Sequence, residues 1–223
     1  MNTNVTVTGM QIDVHSNSTY LIIGSDDDGN DTLSEIQAVN NITTACNIAA
    51  ADAHVYPSAY TNTVTNTATA EVPANWYFKV ADIPTASAST GSATALTTAN
   101  FGEYVLHKKV YVTLATGSQQ ATDLVVTDMT IASNGASTTE NATFAPVKVL
   151  ITSGTAAVEL NSTTRSSNTA LADTVTDGAI IPLDIWIYYD GNDTNVYTTN
   201  IANLDGANIN LEFGVTFASD LNP

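Results

Sequence analysis

The strict alternation of apolar and polar residues near the end of the chain, in residues 208–217, most constrains what this protein can fold into. Every second position is apolar, and the positions between them are polar or glycine: the apolar set is Ile209, Leu211, Phe213, Val215 and Phe217. A period of two over such a length predicts a strand with one face in a core and the other in water.

A second long run, residues 180–189, predicts another strand shortly before the first. Ile181, Leu183, Ile185, Ile187 and Tyr189 share one face, while Asp184, Trp186 and Tyr188 share the other. Because both faces carry large apolar side chains, we expect this strand to be buried on most of both faces.

Similar but shorter runs recur along most of the chain, and glycine-containing turns separate several of them. Residues 144–152 and 155–160 predict a hairpin closed by Ser153-Gly154. About nine or ten strands at hairpin-like spacing, with almost no helix, indicate an all-β fold. We expect a single antiparallel jelly-roll β-sandwich, which a chain of 223 residues can build as one domain.

The charge balance excludes several classes of partner. Lys and Arg number 5 against 22 Asp and Glu, so the net charge is −17. Binding to nucleic acid or to an anionic membrane surface requires basic residues, and neither is expected here. No apolar run reaches the roughly 18 residues that a membrane-spanning helix needs, so we expect no membrane insertion.

The sequence shows no catalytic pattern. His15, His54 and His107 are scattered, without the spacing of a metal site, and Gly117-Ser118-Gln119 is not a nucleophile elbow. The single cysteine, Cys46, cannot form a disulfide within the chain. We therefore expect no enzymatic activity.

One five-residue motif, Asp-Gly-Asn-Asp-Thr, occurs twice, at residues 28–32 and 190–194. Asp and Asn side chains around a glycine turn present oxygens in the way that Ca²⁺ sites require, although neither copy has EF-hand spacing. The alternative is a pair of Asx turns that close hairpins. The candidate Ca²⁺ ligands are Asp26, Asp27, Asp28, Asn30 and Asp31 in the first loop and Asp190, Asn192 and Asp193 in the second.

The N-terminal segment also alternates, and Gly9 interrupts the alternation. This break predicts a short terminal strand in residues 1–9 and a domain in residues 10–223; a single bulged strand is the alternative. A separable first strand can complete the sheet of a neighbouring copy, beside its C-terminal strand, and head-to-tail contacts of this kind make filaments. The expected donor residues are Asn4, Val5, Thr6, Val7 and Thr8.

The C-terminal runs, residues 183–191, 202–207 and 209–217, resemble the C-terminal half of exported TasA/camelysin-type proteins. The resemblance implies a jelly-roll subunit of a biofilm matrix that polymerises by donating its N-terminal strand. It extends to related archaeal pili and cannulae, in which Ca²⁺ assists assembly. Camelysin is also described as a protease, but no metal motif of the family can be placed on these residues.

These features together predict a secreted, extracellular homopolymer whose leader has already been removed. Such a surface permits glycosylation at Asn-x-Ser/Thr sites, which occur at Asn4, Asn17, Asn30, Asn41, Asn141, Asn161 and Asn192. The alternative function is a carbohydrate-binding module or adhesin with an exposed aromatic platform of Trp76, Tyr77, Trp186 and Tyr188, residues that otherwise belong to the core.

Overall fold

The structure is a computed structural model, and it describes a defined part of the chain. The described residues are 5–7, 11–25, 45–49, 53–55, 58–60, 76–79, 93–97, 99, 101–133, 146–191, 193 and 207–218.

The described part of the chain contains fifteen strand segments and one 3₁₀ helix, η1, at Phe101–Glu103. The strands are β1 Val5–Val7, β2 Gln11–Ser16, β3 Leu21–Ser25, β4 Ala45–Ala49, β5 Ala53–Val55, β6 Ser58–Tyr60, β7 Trp76–Lys79, β8 Ala93–Ala95, β9 Val105–Leu114, β10 Ala121–Ser133, β11 Val147–Ser153, β12 Ala156–Leu160, β13 Ser167–Val175, β14 Ile181–Tyr189 and β15 Ala207–Phe217. There are more strands than predicted because several are only three residues long, too short to show a period in the sequence.

Two five-stranded sheets form the body of the fold. Sheet 1 has the order β13-β10-β15-β2-β4, and sheet 2 has the order β12-β11-β14-β9-β3. Two smaller sheets, β1-β5 and β6-β7-β8, lie outside them. The predicted all-β fold with two principal sheets is therefore confirmed.

One strand pair departs from the predicted antiparallel arrangement. Strand β2 runs parallel to β15, from Asn208 opposite Gln11 to Phe213 opposite Ser16, whereas the other strand pairs are antiparallel. Alternation along a strand shows which residues face the core but not the direction of its neighbour, so the sequence pattern could not reveal this pairing.

A single hydrophobic core lies between the two main sheets. Ile209, Leu211 and Phe213 of β15 are fully buried in it together with Leu183 and Ile185 of β14. The predicted inward face of β15 is thus confirmed up to Phe213. Its last two apolar residues, Val215 and Phe217, are only partly buried against the core. The end of this strand is therefore less covered than its middle.

The outer face of β14 is buried as well. Trp186 is 3% exposed and Tyr188 is 2% exposed, and both pack in a second apolar cluster with Leu96, Phe101 and Val105. The predicted burial of β14 on both faces is confirmed. An exposed platform that includes Trp186 and Tyr188 is wrong, because the residues around η1 cover them. The side chains of Trp76 and Tyr77, in β7, lie outside the described part.

The predicted hairpin is present as β11 and β12. Its register runs from Val149 opposite Leu160 to Ser153 opposite Ala156. Gly154 in the turn has a φ of 55°, a left-handed conformation that glycine adopts without steric cost. The sequence therefore located both the strands and the turn.

The N-terminal segment forms two strands that belong to different sheets. Strand β1 pairs antiparallel with β5 of the same chain, with Val5 opposite Val55 and Val7 opposite Ala53. Strand β2 belongs to sheet 1. Two separate strands, rather than one bulged strand, are thus present on either side of residues 8–10.

Candidate functional site

The parallel pairing of β2 with β15 stops before β15 ends. The final backbone bond on this side joins the Asn17 N–H to the carbonyl of Phe213, at 3.0 Å. The Ser16 hydroxyl oxygen then lies 2.6 Å from the Ser18 carbonyl and 2.8 Å from the Leu21 carbonyl, and its one proton can bond to either of them. These bonds close a tight turn that carries the chain from sheet 1 into sheet 2, and so β2 cannot continue alongside β15.

Asn17 lies level with Gly214, and beside residues 215 and 216 the strand position that β2 would fill is not taken by any strand in the described part of the chain. The other side of β15 is paired with β10 as far as Phe217. Polar groups of successive residues point to opposite sides of a strand. Since the Phe213 carbonyl points toward β2, the N–H and C=O of Val215 point into this open position.

A groove of about 660 Å³ lies at this end of the sandwich, and we call it the terminal groove. It is formed by the turn after β2, the turn between β9 and β10, and the end of β15. Its lining residues are Asn17, Ser18, Tyr20, Gly117, Ser118, Gln119, Val215 and Phe217.

The walls of the terminal groove are held by hydrogen bonds from backbone N–H groups. The Ala115 N–H donates to the Tyr20 carbonyl at 2.8 Å, which ties the two turns together. The Gly117 N–H donates to the Asp177 carboxylate at 2.7 Å, and Gly117 has a φ of 81° that suits glycine. The groove is consequently defined by the fold rather than by side-chain placement alone.

None of the described residues that line the terminal groove has a charged side chain. Its polar groups are amides and hydroxyls, and its apolar groups are Tyr20, Val215 and Phe217. Tyr20 is 56% exposed, and its ring meets Phe217 edge-to-face at 5.8 Å. An apolar floor beside open backbone groups can accept an extended peptide, and aromatic rings with amides and hydroxyls can also bind a neutral sugar.

Gly214 lets the groove close at its inner end. A Cβ atom at this position would lie 2.7 Å from Asn17 Nδ2 and 2.7 Å from Thr127 Cγ2. Both side chains therefore pack directly over the Gly214 backbone, a contact that any larger residue would obstruct.

The predicted donor residues are only partly described. Val5, Thr6 and Val7 form β1, which lies outside the two main sheets, whereas Asn4 and Thr8 lie outside the described residues. The predicted acceptor position beside the C-terminal strand is filled by β2 as far as Phe213. Past Asn17, no strand among the described residues occupies it.

The candidate Ca²⁺ ligands are not brought together by the described residues. Asp190 and Asp193 belong to a turn in which the Asp193 N–H donates to the Asp190 carbonyl at 2.9 Å. Asp26, Asp27, Asp28, Asn30, Asp31 and Asn192 lie outside the described part. Among the residues that are described, no group of three His, Cys, Asp or Glu side chains is arranged to hold a metal ion.

Two of the predicted glycosylation sites are described. The Asn161 side-chain oxygen accepts bonds from Thr163 N–H, Thr163 hydroxyl and Thr164 N–H, at 2.9, 2.7 and 2.8 Å. Asn17 packs over Gly214 at the terminal groove. The remaining five, Asn4, Asn30, Asn41, Asn141 and Asn192, lie outside the described residues.

Sequence analysis missed two polar clusters on the sheet surfaces. His107 Nε2 lies 2.7 Å from Asp184 Oδ1, and the His107 ring stacks on Trp186 at 3.8 Å. The Arg165 guanidinium donates two bonds to Asp128, at 3.0 and 2.8 Å. Both clusters join strands or loops distant in sequence, and only the register, which alternation does not encode, could have revealed them.

Comparison with protein-family models, with curated proteins and with solved structures gave no match. Over the residues that the structure describes, no helix has the length and apolar character needed to cross a membrane.

Proposed function

We propose that this protein is a structural subunit of an extracellular filament, a homopolymer in which each copy donates its N-terminal strand to the next. The donor is residues 1–9, and the acceptor is the terminal groove. The observation that carries this proposal is the strand position beside residues 215 and 216, which no strand in the described part of the chain occupies and which adjoins a partly apolar groove. Adding a strand there would supply partners to backbone groups and cover apolar surface.

The placement of β1 also supports this role. It lies outside both main sheets and pairs only through three residues with the equally short β5. Removing β1 from this pairing would break no contact within sheet 1 or sheet 2. Release of Val5–Val7 would therefore cost no strand pairing within the two main sheets.

We assign the sandwich to the jelly-roll class. From β9 to β15 the chain passes between sheet 1 and sheet 2 at every connection except the β11–β12 hairpin. Repeated crossing of this kind supports a jelly roll over a meander.

Calcium and glycosylation remain part of the proposal. The repeated motif at residues 28–32 and 190–194 supports Ca²⁺ binding, because its Asp and Asn oxygens suit a hard cation. The exposed turn at Asn161 supports a glycosylated, secreted subunit.

Deletion of residues 1–9 tests the donor role. We expect the shortened protein to remain a folded monomer and to form no filaments in electron micrographs, whereas the full chain polymerises. Circular dichroism and size-exclusion chromatography report the fold and the mass. Filaments formed by the shortened protein would overturn the proposal.

Substitutions within the donor provide a matched pair. The proposal places Val5 and Val7 against the apolar floor and Thr6 and Thr8 on the opposite face, because side chains alternate along a strand. Val5→Asp with Val7→Asp should abolish assembly, whereas Thr6→Ser with Thr8→Ser should preserve it. Equal effects of the two pairs would contradict insertion of the valines.

A carbohydrate-binding module or adhesin is the second candidate. It is favoured by one observation, the exposed Tyr20 beside the amides of Asn17 and Gln119 in the terminal groove. This candidate predicts that the monomer binds neutral glycans on an array and that Tyr20→Ala abolishes the binding. Absence of glycan binding by the monomer would rule out this second function.

A further inference from the structure

We infer that β15 is the last strand to join the fold, and that the sandwich cannot form until residues 207–217 are available. Three features of the described structure carry this inference: the central position of β15 in sheet 1, the burial of its inner face, and its place after every other described strand in the chain. The folding step stands on these features alone, whereas its consequence for assembly rests on the proposed function.

Strand β15 holds the two halves of sheet 1 together. On one side it pairs with β10, from Ala121 opposite Phe217 to Ser133 opposite Ala207, and on the other side it pairs with β2. Among the described strands, β10 otherwise pairs only with β13, and β2 otherwise pairs only with β4. Without β15, sheet 1 therefore divides into two pairs of strands, and an isolated two-stranded pair is marginally stable at best in water.

Sheet 2 depends on β15 through the core. Its five strands all precede residue 190, so they are complete before β15 begins. Their inner face packs in the same hydrophobic core as Ile209, Leu211 and Phe213 of β15, which are fully buried there. A sheet with an apolar face must bury that face against another layer. Since β15 also holds that layer together, we expect sheet 2 to remain unstable until β15 is in place.

The order of the strands along the chain makes β15 the last to arrive. A chain is synthesised from its N-terminus, so β2 and β10 are available long before β15, which is the last described strand. The pairing of β2 with β15 joins opposite ends of the chain, and such non-local pairing is slow to form. The chain therefore stays unfolded until residue 217 is available, and under the proposed function a copy cannot assemble before that point.

Stalled ribosomes that carry the full chain test this order. A linker added after Pro223 sets how much of the chain lies outside the exit tunnel. With a short linker, the strands of sheet 2 are outside while β15 is still inside, because 17 residues separate β14 from β15. With a long linker, β15 is outside as well. The protein sequence is the same in both complexes, so each is the control for the other, and brief protease digestion reports folding.

We expect the short-linker chain to be digested and the long-linker chain to give the same protected fragment as the released full chain. Protection of the short-linker chain would overturn the inference, and so would digestion of both chains under conditions that leave the released chain protected. None of these outcomes depends on filaments. A released, folded chain that forms no filaments would overturn the proposed function and leave the folding order standing.

Two neighbouring residues of β15 provide a matched pair of substitutions in the long-linker complex. Leu211 is fully buried in the core, whereas Asn210 is on the opposite face of the strand and only partly buried. Leu211→Ser should abolish the protected fragment because the core loses an apolar side chain from β15, and Asn210→Ser should retain it. Equal protection of the two variants would contradict the role of the inner face of β15 in completing the fold.

Discussion

At the scale of single residues, the fold leaves no room for a side chain at Gly214. Its replacement by Ala would place a Cβ atom 2.7 Å from both Asn17 Nδ2 and Thr127 Cγ2. We expect Gly214→Ala to lower the free energy of unfolding by about 1–3 kcal/mol, because overpacking forces neighbouring side chains or backbone to move. Urea denaturation measures this change.

Gly102→Ala is the matched control for Gly214→Ala, since nothing lies within 4 Å of a Cβ atom at Gly102 and its φ is not positive. We expect its unfolding midpoint to stay close to that of the unmodified protein. Equal stability of the two variants would show that the Asn17 and Thr127 side chains can move aside without lowering the free energy of unfolding.

The indole N–H of the buried Trp186 is hydrogen-bonded to a hydroxyl group that a substitution can replace with a methyl group. Its indole N–H donates to the Thr152 hydroxyl at 3.0 Å, and Trp186 is 3% exposed. Thr152→Val keeps the shape but takes away the acceptor, so we expect a loss of about 1–3 kcal/mol in the free energy of unfolding. Thr152→Ser retains the hydroxyl and should lose less; thermal unfolding of both variants provides the comparison.

Trp186 also shows what could be predicted from the sequence at this scale. Alternation correctly placed it on the face of β14 opposite Leu183 and Ile185. It did not predict that residues near η1 cover that face, because this contact joins segments some 85 residues apart. Large apolar side chains on both faces predicted that β14 is buried, but which segment covers its second face is a non-local property that a periodic pattern does not report.

At the scale of elements, the end of β15 allows a direct test of its open side. The N–H of Val215 points into the vacant strand position, whereas that of Thr216 points toward β10, where Thr216 lies opposite Thr122. Proline has no N–H to donate. Val215→Pro should therefore leave a folded monomer that assembles poorly, and Thr216→Pro should destabilise the monomer by about 1–3 kcal/mol.

Val215→Ala is the control for the loss of the valine side chain, and it should assemble better than Val215→Pro. Light scattering measures assembly, and thermal unfolding measures the fold. If Val215→Pro unfolds as readily as Thr216→Pro, the Val215 N–H bonds within the monomer and the position beside it is not open.

The positions of the strands were easier to predict than the way in which the strands pair. The long strands β14 and β15 and the β11–β12 hairpin follow from period-two alternation and a glycine turn. The parallel pairing of β2 with β15 and its end at Phe213 do not, since they join residues from opposite ends of the chain. The terminal groove exists because of that pairing, so its position could be anticipated only as lying somewhere beside the C-terminal strand.

At the scale of the whole molecule, the net charge of −17 opposes any assembly of identical copies. Repulsion between copies weakens as salt shortens the screening length, from about 30 Å at 0.01 M to about 10 Å at 0.1 M. The described residues that line the terminal groove carry no charge, so salt weakens their own contacts little. We therefore expect NaCl to speed filament growth, measured by light scattering at constant protein concentration.

Calcium should act beyond this general screening if the repeated loops bind it. At equal ionic strength, CaCl₂ and MgCl₂ screen charge alike, but only Ca²⁺ suits a flexible site of many oxygens, because Mg²⁺ demands near-ideal octahedral geometry and gives up its water reluctantly. We expect faster growth and a higher melting temperature in CaCl₂ than in MgCl₂, both reversed by a chelator. Asp190→Asn with Asp193→Asn should reduce the difference if the second loop contributes. Identical behaviour in the two salts would remove Ca²⁺ from the assembly, and charge screening alone would then account for the response to salt.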